Sequence, residues 1–414
     1  MSGALEACHF APSGGAARAG SGACCRGQEM EHLAAMKIPI VRLDLGEAAA
    51  QAAADVVRSG WIGQGPQVEA LETEWATAVG AAHAVAVSNC TVALELALRL
   101  IGVSAGDDVL TVSHSFIATA NAVVAVGACP IFVDVEVSSY GMDPKKLAGA
   151  LTNKCKAILC VHQFGLPCDL QAILAFANQH GLPVVEDAAC AIGSEIEIAQ
   201  RFERVGKPHG IIAGFSLHPR KVITCGDGGI LTTSDAALAN RARLLRQHAM
   251  SIGAQARHHA SEVVFENFVE PAYNYRMTDL QAAVARAQLA KLDVILVERR
   301  RLAARYTEAL ANHPQFRVPS ETYGRSNWQS YPVRLRDEAT TTQREWLELF
   351  LASGIAARRG IANAHQQPAY ARRDTGGQDL SVSEMLGDRT ILLPLFHGLT
   401  DAEQDLVIAT CKQV

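Results

Sequence analysis

The sequence lacks the charge blocks that mark proteins with strongly charged partners. Its 414 residues carry a formal net charge of -5, with no long basic block and no acidic tail. A Gly-x-Gly-x-x-Gly motif after the first predicted strand is also missing, which argues against a dinucleotide-dependent oxidoreductase. We therefore expect a globular protein that binds no nucleic acid.

The sequence also lacks the signals of metal sites and disulfide frameworks. Its eleven cysteines, an odd number, are scattered without the paired Cys and His spacing of a zinc site. Some lie in apolar runs, as Cys160 does. Reduced and mostly buried thiols are typical of cytoplasmic proteins, so we predict a cytoplasmic protein without a metal.

Long apolar runs are scarce. The uncharged segment from Phe116 to Val133 just reaches the lower length limit of a membrane span. It is interrupted by Gly127 and Pro130 and runs directly into Asp134, so we interpret it as a buried helix followed by a buried strand. We therefore expect that the protein does not bind a membrane.

The N-terminal segment has no recognisable periodicity. Residues 1–36 are rich in Ala, Gly and Ser and have no continuous apolar stretch like that of a signal peptide. We predict a disordered extension there, and whether the native product includes it stays open because Met30 or Met36 could be the start.

From about residue 83 onwards, short apolar runs alternate with longer amphipathic stretches. This alternation is typical of an α/β domain with a mostly parallel, buried sheet. Helices are predicted at Val92–Ile101 and Leu170–His180. The predicted strands are Ala84–Val87, Asp108–Thr111, Ile131–Val135, Ala157–Val161, Pro183–Glu186 and Ile211–Phe215. Ligands bind at the carboxyl ends of such strands, so we look for chemistry there.

The C-terminal third predicts a second, smaller domain. Residues Leu280–Leu310 have helical spacing and predict one long helix, whose cluster Arg299–Arg301 we interpret as a solvent-exposed face. Strand and helix signals then begin afresh. We predict a large domain over 37–290, including an N-terminal arm, and a small domain over 291–414.

One lysine stands out because lysine is scarce, with nine lysines against 28 arginines. Lys221 lies between an apolar run and the glycine-dense turn that ends at Gly229, five residues after Ser216. A confined lysine amine can attack a carbonyl and form a Schiff base. A surface lysine before a glycine-rich hairpin is the alternative.

Three further features follow predicted strands. Ser88–Thr91 opens a helix and is either an anion site at the free amide groups or a plain N-cap. Asp187 ends a strand, where it pairs with a protonated pyridine nitrogen or caps the next helix. Phe116 either stacks flat on a ring or belongs to the core. Together with Ser216 as a second phosphate ligand and Lys221, they form a consistent set.

Short motifs in a fixed order resemble those of the DegT/DnrJ/EryC1/StrS family of sugar aminotransferases, which use pyridoxal 5'-phosphate (PLP). The resemblance covers roughly residues 38–412. The matching stretches are Ser59–Pro66, Ser88–Thr91, Ser115–Asn121, Glu186–Ala189, Phe215–Lys221, Tyr273–Met277 and Leu393–Leu395.

The resemblance implies an α/β fold, that of fold type I PLP-dependent transferases. Its large domain has a mostly parallel seven-stranded sheet between helices, and its smaller C-terminal domain is α+β. It implies that Lys221 forms the Schiff base with PLP, that Asp187 pairs with the pyridine nitrogen and that Phe116 stacks on the ring. The remaining implied contacts, all to the phosphate, are the backbone at Cys90 and Thr91, the Ser216 hydroxyl, and Asn274 from the neighbouring subunit of a homodimer.

Two residues depart from the family pattern. Cys90 replaces the usual glycine after Ser-Asn, and Cys190 replaces the usual Gln or His after Asp-Ala-Ala. A thiol is the weaker hydrogen-bond partner, so the contact of Cys190 with the cofactor's phenolic oxygen is in question. We further expect burial and the positive charge of the pyridine system to lower the pKa of Lys221.

The resemblance implies transfer of an amino group, from glutamate, to a nucleotide-linked keto-sugar. The residues proposed for the sugar nucleotide are Arg276, Arg358, Arg359 and His365, although for any one arginine a surface ion pair is the more common role. His162 and His218 lie beside the motifs and are either catalytic or structural.

Other functions stay open. The acceptor could be a cyclitol or another ketone without a nucleotide. A sugar dehydratase of the same family would carry histidine at the lysine position, and Lys221 argues against it. A regulatory protein on this fold is disfavoured by the intact Lys221 and Asp187.

Overall fold

The structure is a computed structural model that describes residues 37–253, 257–258, 260–371 and 376–413. The N-terminal extension predicted over 1–36 lies outside the described residues. Among the helices of the described part, none is long and apolar enough to cross a membrane. The same residues contain no group of three or more His, Cys, Asp or Glu side chains that could hold a metal ion.

Helices and short strands alternate along the chain. The helices are α1 (Gly46–Ser59), α2 (Pro66–Val79), α3 (Cys90–Leu100), α4 (Ala118–Ala125), α5 (Leu147–Ala150), α6 (Leu170–His180), α7 (Ala236–Leu245), α8 (Asp279–Leu289), α9 (Leu292–Leu310), α10 (Gln343–Ala352), α11 (Ser381–Arg389) and α12 (Asp401–Cys411). The strands are β1 (His83–Val87), β2 (Asp108–Val112), β3 (Cys129–Val133), β4 (Cys155–Val161), β5 (Val184–Asp187), β6 (Glu195–Ile198), β7 (Arg201–Arg204), β8 (Ile212–Ser216), β9 (Gly229–Thr233), β10 (Phe316–Arg317), β11 (Gly324–Arg325), β12 (Tyr331–Leu335), β13 (Arg358–Arg359) and β14 (Thr390–Leu393).

The central sheet has seven strands in the order β1-β9-β8-β5-β4-β2-β3. All neighbouring pairs are parallel except those of β9, which runs antiparallel to both β1 and β8. The six strands predicted from apolar runs are confirmed within two residues. Strand β9 was not predicted because its sequence continues the glycine-rich turn after Lys221.

Helices cover both faces of this sheet because its strands are apolar on both sides. In β4, Ala157 and Leu159 contact the core beneath α3 and α4, whereas Ile158 and Cys160 belong to the core on the opposite face. Successive side chains of a strand point to opposite faces, so a buried parallel strand needs apolar residues throughout. This arrangement confirms the predicted α/β fold.

The C-terminal part is a smaller α+β domain. Its four-stranded antiparallel sheet has the order β10-β12-β14-β13, and β11 pairs with β6 in a separate three-stranded sheet. Contacts nevertheless group Ile38–Val414 into one compact unit, and Ile38 bonds to Gly354 and Ala356. The domain boundary at 290 and 291 therefore stays a prediction.

The single helix predicted over Leu280–Leu310 is wrong, because α8 ends at Leu289 and α9 begins at Leu292. The break lets α8 pack against α1 and α2, while α9 contacts α12. Helical periodicity runs across the break, so the sequence pattern does not reveal it.

The exposed interpretation of the Arg299–Arg301 cluster is wrong for Arg299. This side chain is buried and donates to the carbonyl oxygens of Trp328 (3.1 Å), Gln329 (2.9 Å) and Leu395 (3.2 Å). Burial lowers the pKa of the Arg299 guanidinium to about 10. The buried cation joins α9 to two loops of the C-terminal domain.

A buried carboxylate on α8 caps the start of α2. Asp279 Oδ1 accepts the backbone N–H groups of Gly65 (2.8 Å) and Val68 (3.0 Å), and its Oδ2 accepts that of Gln67 (3.1 Å). First-turn amides have no partner within their own helix, and a negative charge there also complements the helix dipole. This capping gives a structural role to the matching stretch Ser59–Pro66.

We expect Asp279→Ala to destabilise the cofactor-free protein by about 2 kcal/mol, since three N–H groups, two of them in buried hydrogen bonds, lose a charged acceptor. Urea unfolding followed by circular dichroism measures this loss. The control is Asp55→Ala, because Asp55 is an exposed side chain on α1 that bonds Gln51 and Arg58 of the same helix. Equal unfolding midpoints for the two variants would contradict the capping role.

Candidate active site

The candidate site lies at the carboxyl ends of the central strands. Asp187 is the last residue of β5, and Ser216 is the last residue of β8, which pairs directly with β5. Helix α3 begins three residues after the end of β1. Parallel strands bring their carboxyl ends to one edge, so these separate motifs meet there.

The antiparallel strand β9 begins at the same edge of the sheet, at Gly229. A Cβ atom there would lie only 2.4 Å from the Asn89 backbone, so a side chain does not fit. Strand β9 thereby brings the start of α3 next to the turn that carries Lys221.

Lys221 contacts Cys190, one of the two residues that depart from the family pattern. Its Nζ donates a hydrogen bond to Cys190 Sγ at 3.1 Å. Burial by itself lowers the pKa of Lys221, but Cys190, Cys90 and Asp187 together raise it above the ordinary value. The expectation of a lowered pKa included the positive charge of the bound pyridine system, so it stays a prediction for the site with PLP in place.

The Asp187 carboxylate is buried and held by two donors. Thr119 Oγ1 donates to its Oδ2 at 2.7 Å, and the N–H of Ala189 donates to its Oδ1 at 3.1 Å. Burial raises the pKa of Asp187 above the usual aspartate value, while these two hydrogen bonds lower it. The alternative of a helix cap is wrong, since the next element in the described chain is strand β6.

The start of α3 has the geometry of an anion site. The Asn89 side chain accepts the N–H of Val92 at 3.0 Å, and the Asn89 carbonyl accepts that of Ala93 at 3.2 Å. The amides of Cys90 and Thr91 precede these in the first turn, where helix geometry gives them no internal partner. The predicted N-cap and the predicted anion site are thus compatible.

Cys90 connects the helix start electrostatically to the other groups. Burial raises the pKa of its thiol well above the usual cysteine value, and the nearby Asp187 and Cys190 raise it further, while Lys221 acts in the opposite sense. Cys90, Asp187, Cys190 and Lys221 therefore share one small region.

Phe116 and Ser216, which lie beside this region, differ in their exposure to solvent. The Phe116 side chain is 69% exposed, so the interpretation as a core residue is wrong. Its carbonyl accepts the N–H of Thr119, which in turn bonds Asp187. Ser216 is buried, and its hydroxyl oxygen accepts the N–H of His218 at 3.3 Å.

The residues predicted for the sugar nucleotide are spread more widely. Arg358 and Arg359 form the exposed strand β13, Arg276 is half-buried, and Asn274 is exposed. His365 uses both ring nitrogens, with Nδ1 2.6 Å from Ser113 Oγ and Nε2 3.0 Å from Glu384 Oε1. In this conformation its ring has no nitrogen left for a substrate.

Both histidines beside the motifs have local partners. His162 is fully buried, its Nε2 lies 3.1 Å from Glu186 Oε2, and its Nδ1 accepts the N–H of Cys168 at 3.3 Å. The Nδ1 of His218 accepts the N–H of Arg220 at 3.3 Å. These contacts favour structural roles.

The structure adds contacting residues that the sequence did not identify. The Asn327 side-chain amide donates to the carbonyl of Cys190 at 2.8 Å, and that of Gln329 donates to the carbonyl of Arg220 at 3.0 Å. They hold the backbone on both sides of the contact between Cys190 and Lys221. Nothing in the sequence pattern indicated these two residues. Thr119, the donor to Asp187, does lie within the matching stretch Ser115–Asn121.

The donor set fits PLP. An amine, a buried carboxylate and a helix start with first-turn amides suit an aldehyde, a pyridine nitrogen and a phosphate, respectively. These groups are Lys221, Asp187 and the N-terminus of α3. A seven-stranded, mostly parallel sheet with these groups at its edge fits the class of PLP-dependent enzymes of fold type I.

Comparison with known proteins agrees with this class. The model of the DegT/DnrJ/EryC1/StrS aminotransferase family matches residues 43–412, and the chain belongs to this family. It is 33% identical over 392 residues to the spore coat polysaccharide biosynthesis protein SpsC of Bacillus subtilis, covering 94% of this chain and 98% of SpsC. The predicted family, enzyme class, fold and cofactor are confirmed.

Solved structures share the fold. The DesV protein of S. venezuelae, solved with a ketimine intermediate, is 31% identical with a TM-score of 0.81 and covers 91% of this chain and 100% of its own. The aminotransferase TlmJ of Streptoalloteichus hindustanus is 30% identical with a TM-score of 0.81, over 90% of this chain and 97% of its own.

Proposed function

We propose that this PLP-dependent aminotransferase transfers an amino group from glutamate to a nucleotide-linked keto-sugar. The observation that carries the aminotransferase chemistry is the position of Lys221 Nζ beside Cys190, in the electrostatic range of Asp187. The name of SpsC, a polysaccharide biosynthesis protein, supports a sugar acceptor. The nucleotide and the glutamate donor rest on the family resemblance.

Each residue of the site has a role in this proposal. The amides of Cys90 and Thr91 and the Ser216 hydroxyl hold the cofactor phosphate, and Asp187 faces the pyridine nitrogen. Phe116, which projects from the start of α4, covers one face of the ring. Cys190 holds the Lys221 amine by a hydrogen bond.

PLP, when bound, supplies an aldehyde carbon that reacts with amines and a ring that accepts electron density. Lys221 Nζ would be the covalent attachment point for PLP, and the amine freed by an amino donor would move a proton between the donor's α-carbon and the aldehyde-derived carbon of the cofactor. Cys190 Sγ, which accepts a hydrogen bond from Nζ, keeps the displaced amine beside the site. Asp187, whose carboxylate accepts hydrogen bonds from Thr119 and Ala189, would supply a negative charge next to the ring nitrogen.

We also propose a homodimer in which Asn274 reaches the phosphate of the neighbouring site. Asn274 is exposed, and the nearby segment 263–269 presents apolar side chains to solvent, including Val263 (84% exposed) and Phe265 (83%). Contiguous exposed apolar groups mark interaction surfaces. A second copy of this chain is the partner that would cover them.

A substrate panel tests the proposal. We expect the purified protein with PLP and glutamate to convert at least one nucleotide-linked keto-sugar into its amino form, with equimolar 2-oxoglutarate, both measured by mass spectrometry. Aspartate and glutamine serve as alternative donors, and Lys221→Ala is the inactive control. Amination of cyclitol ketones, with every nucleotide-linked keto-sugar left unchanged, would replace the proposed acceptor.

A further inference from the structure

Thr119 is a buried residue with a hydroxyl group, within the matching stretch Ser115–Asn121. The proposed chemistry gives Thr119 no role. Its side chain is 1% exposed, at the start of α4. Thr119 Oγ1 lies 2.7 Å from Asp187 Oδ2 and 2.8 Å from Ser115 Oγ, which is also buried. The three side chains form one continuous chain of hydrogen bonds that ends on the carboxylate.

The direction of this chain follows from the charge of Asp187. An ionised carboxylate only accepts, so the Thr119 hydroxyl donates to it and must itself accept from Ser115. The second oxygen of Asp187 accepts the N–H of Ala189. Each carboxylate oxygen of Asp187 therefore accepts one hydrogen bond from the protein and can accept one more from a ligand.

The same helix turn connects this carboxylate to Phe116. The N–H of Thr119 donates to the Phe116 carbonyl at 3.0 Å, so the exposed ring and the buried hydroxyl belong to one rigid turn. A shift of this turn would move both at once. Thr119 thereby sets the orientation of the Asp187 carboxylate relative to the exposed Phe116 ring.

We propose that Thr119 is a positioning residue that orients the Asp187 carboxylate toward the pyridine nitrogen of PLP, with Ser115 holding the Thr119 hydroxyl in its donating direction. The inference rests on the proposed placement of PLP but not on the identity of the acceptor sugar. The test of this inference measures cofactor affinity, so a negative result with the panel of keto-sugars would not contradict it.

The test compares PLP dissociation constants of cofactor-free variants by absorbance or fluorescence titration. We expect Thr119→Val to bind PLP about 10- to 100-fold more weakly, since a buried charged acceptor loses its donor. Thr119→Ser keeps the hydroxyl and should bind like the wild type. The matched control is Thr232→Val, since Thr232 is equally buried and donates to the Gly206 carbonyl at 2.8 Å, away from Asp187.

The pH dependence separates positioning from a packing defect. Without the Thr119 donor the pKa of Asp187 rises further, so at low pH more of the carboxylate is protonated in Thr119→Val. The affinity gap to the wild type should therefore be larger at acidic pH than at alkaline pH. A packing defect would give a gap that is independent of pH.

Three results would overturn the inference. These are wild-type affinity in Thr119→Val, equal weakening in Thr119→Ser, and equal weakening in Thr232→Val. If Thr119→Val does not fold, Ser115→Ala decides, because it removes only the donor to Thr119 and should weaken PLP binding by about 3- to 10-fold. Wild-type affinity in that variant would equally contradict the inference.

Discussion

Replacing Lys221 with alanine should abolish the visible absorption band of the PLP-bound protein and reduce turnover by roughly three to four orders of magnitude. The substitution removes both the covalent attachment point and the group that moves the substrate proton. The fold should persist, because Lys221 makes its side-chain hydrogen bond to Cys190 alone among the described residues. Absorption spectra and single-turnover kinetics measure the two losses separately.

Lys221→Arg and Lys207→Ala are the matched controls. Arginine retains the positive charge but stays protonated, so this variant should lose the band and the turnover as alanine does. Lys207 bonds Glu203 at 2.6 Å outside the site, and its removal should leave both readouts unchanged. A Lys221→Ala protein that retains band and turnover would exclude Lys221 as the covalent anchor.

Replacing Asp187 with asparagine should lower turnover by about 100- to 1000-fold, because the amide cannot supply the negative charge that stabilises a protonated pyridine nitrogen. The stability of the cofactor-free protein should change in the opposite sense. The pKa of Asp187 is raised in the folded state, so its contribution to stability is present at low pH and falls as pH rises through that pKa. Near neutral pH the asparagine variant should therefore melt no lower than the wild type, because the Thr119 hydroxyl can reverse its direction and accept from the new amide N–H.

Asp134→Asn provides the converse control. Asp134 is a buried carboxylate after β3 that accepts the N–H and hydroxyl of Ser383 at 2.8 and 2.6 Å and the N–H of Val382 at 3.0 Å. An amide places one donor against these donors, so this variant should melt earlier but bind PLP normally. Equal melting and equal turnover losses in the two asparagine variants would show that Asp187 acts only through the fold.

Most of the central sheet and the main chemical groups could be predicted from the sequence. Buried parallel strands require apolar residues on both faces, so each appears as a local run that ends at a polar residue such as Asp187. Lys221 was identifiable because its neighbours and its scarcity are properties of the chain itself. The ordered motifs then identified the family.

Other features depended on residues far apart in the sequence. The break between α8 and α9 and the burial of Arg299 follow from which elements they pack against. Similarly, Asn327 and Gln329 reach the site only because the C-terminal domain folds back onto the loop of Cys190. No local pattern records such contacts.

The sequence by itself determined the fold class, the family and the cofactor, because apolar periodicity and short motifs are local properties of the chain. Only the tertiary structure decided the surroundings of the lysine amine and the carboxylate. It brought Cys190 within 3.1 Å of Lys221, raised the pKa of that amine and bonded Thr119 to Asp187. Hydrogen bonds and charge interactions act through space, so they are fixed only once the strands have brought their ends together.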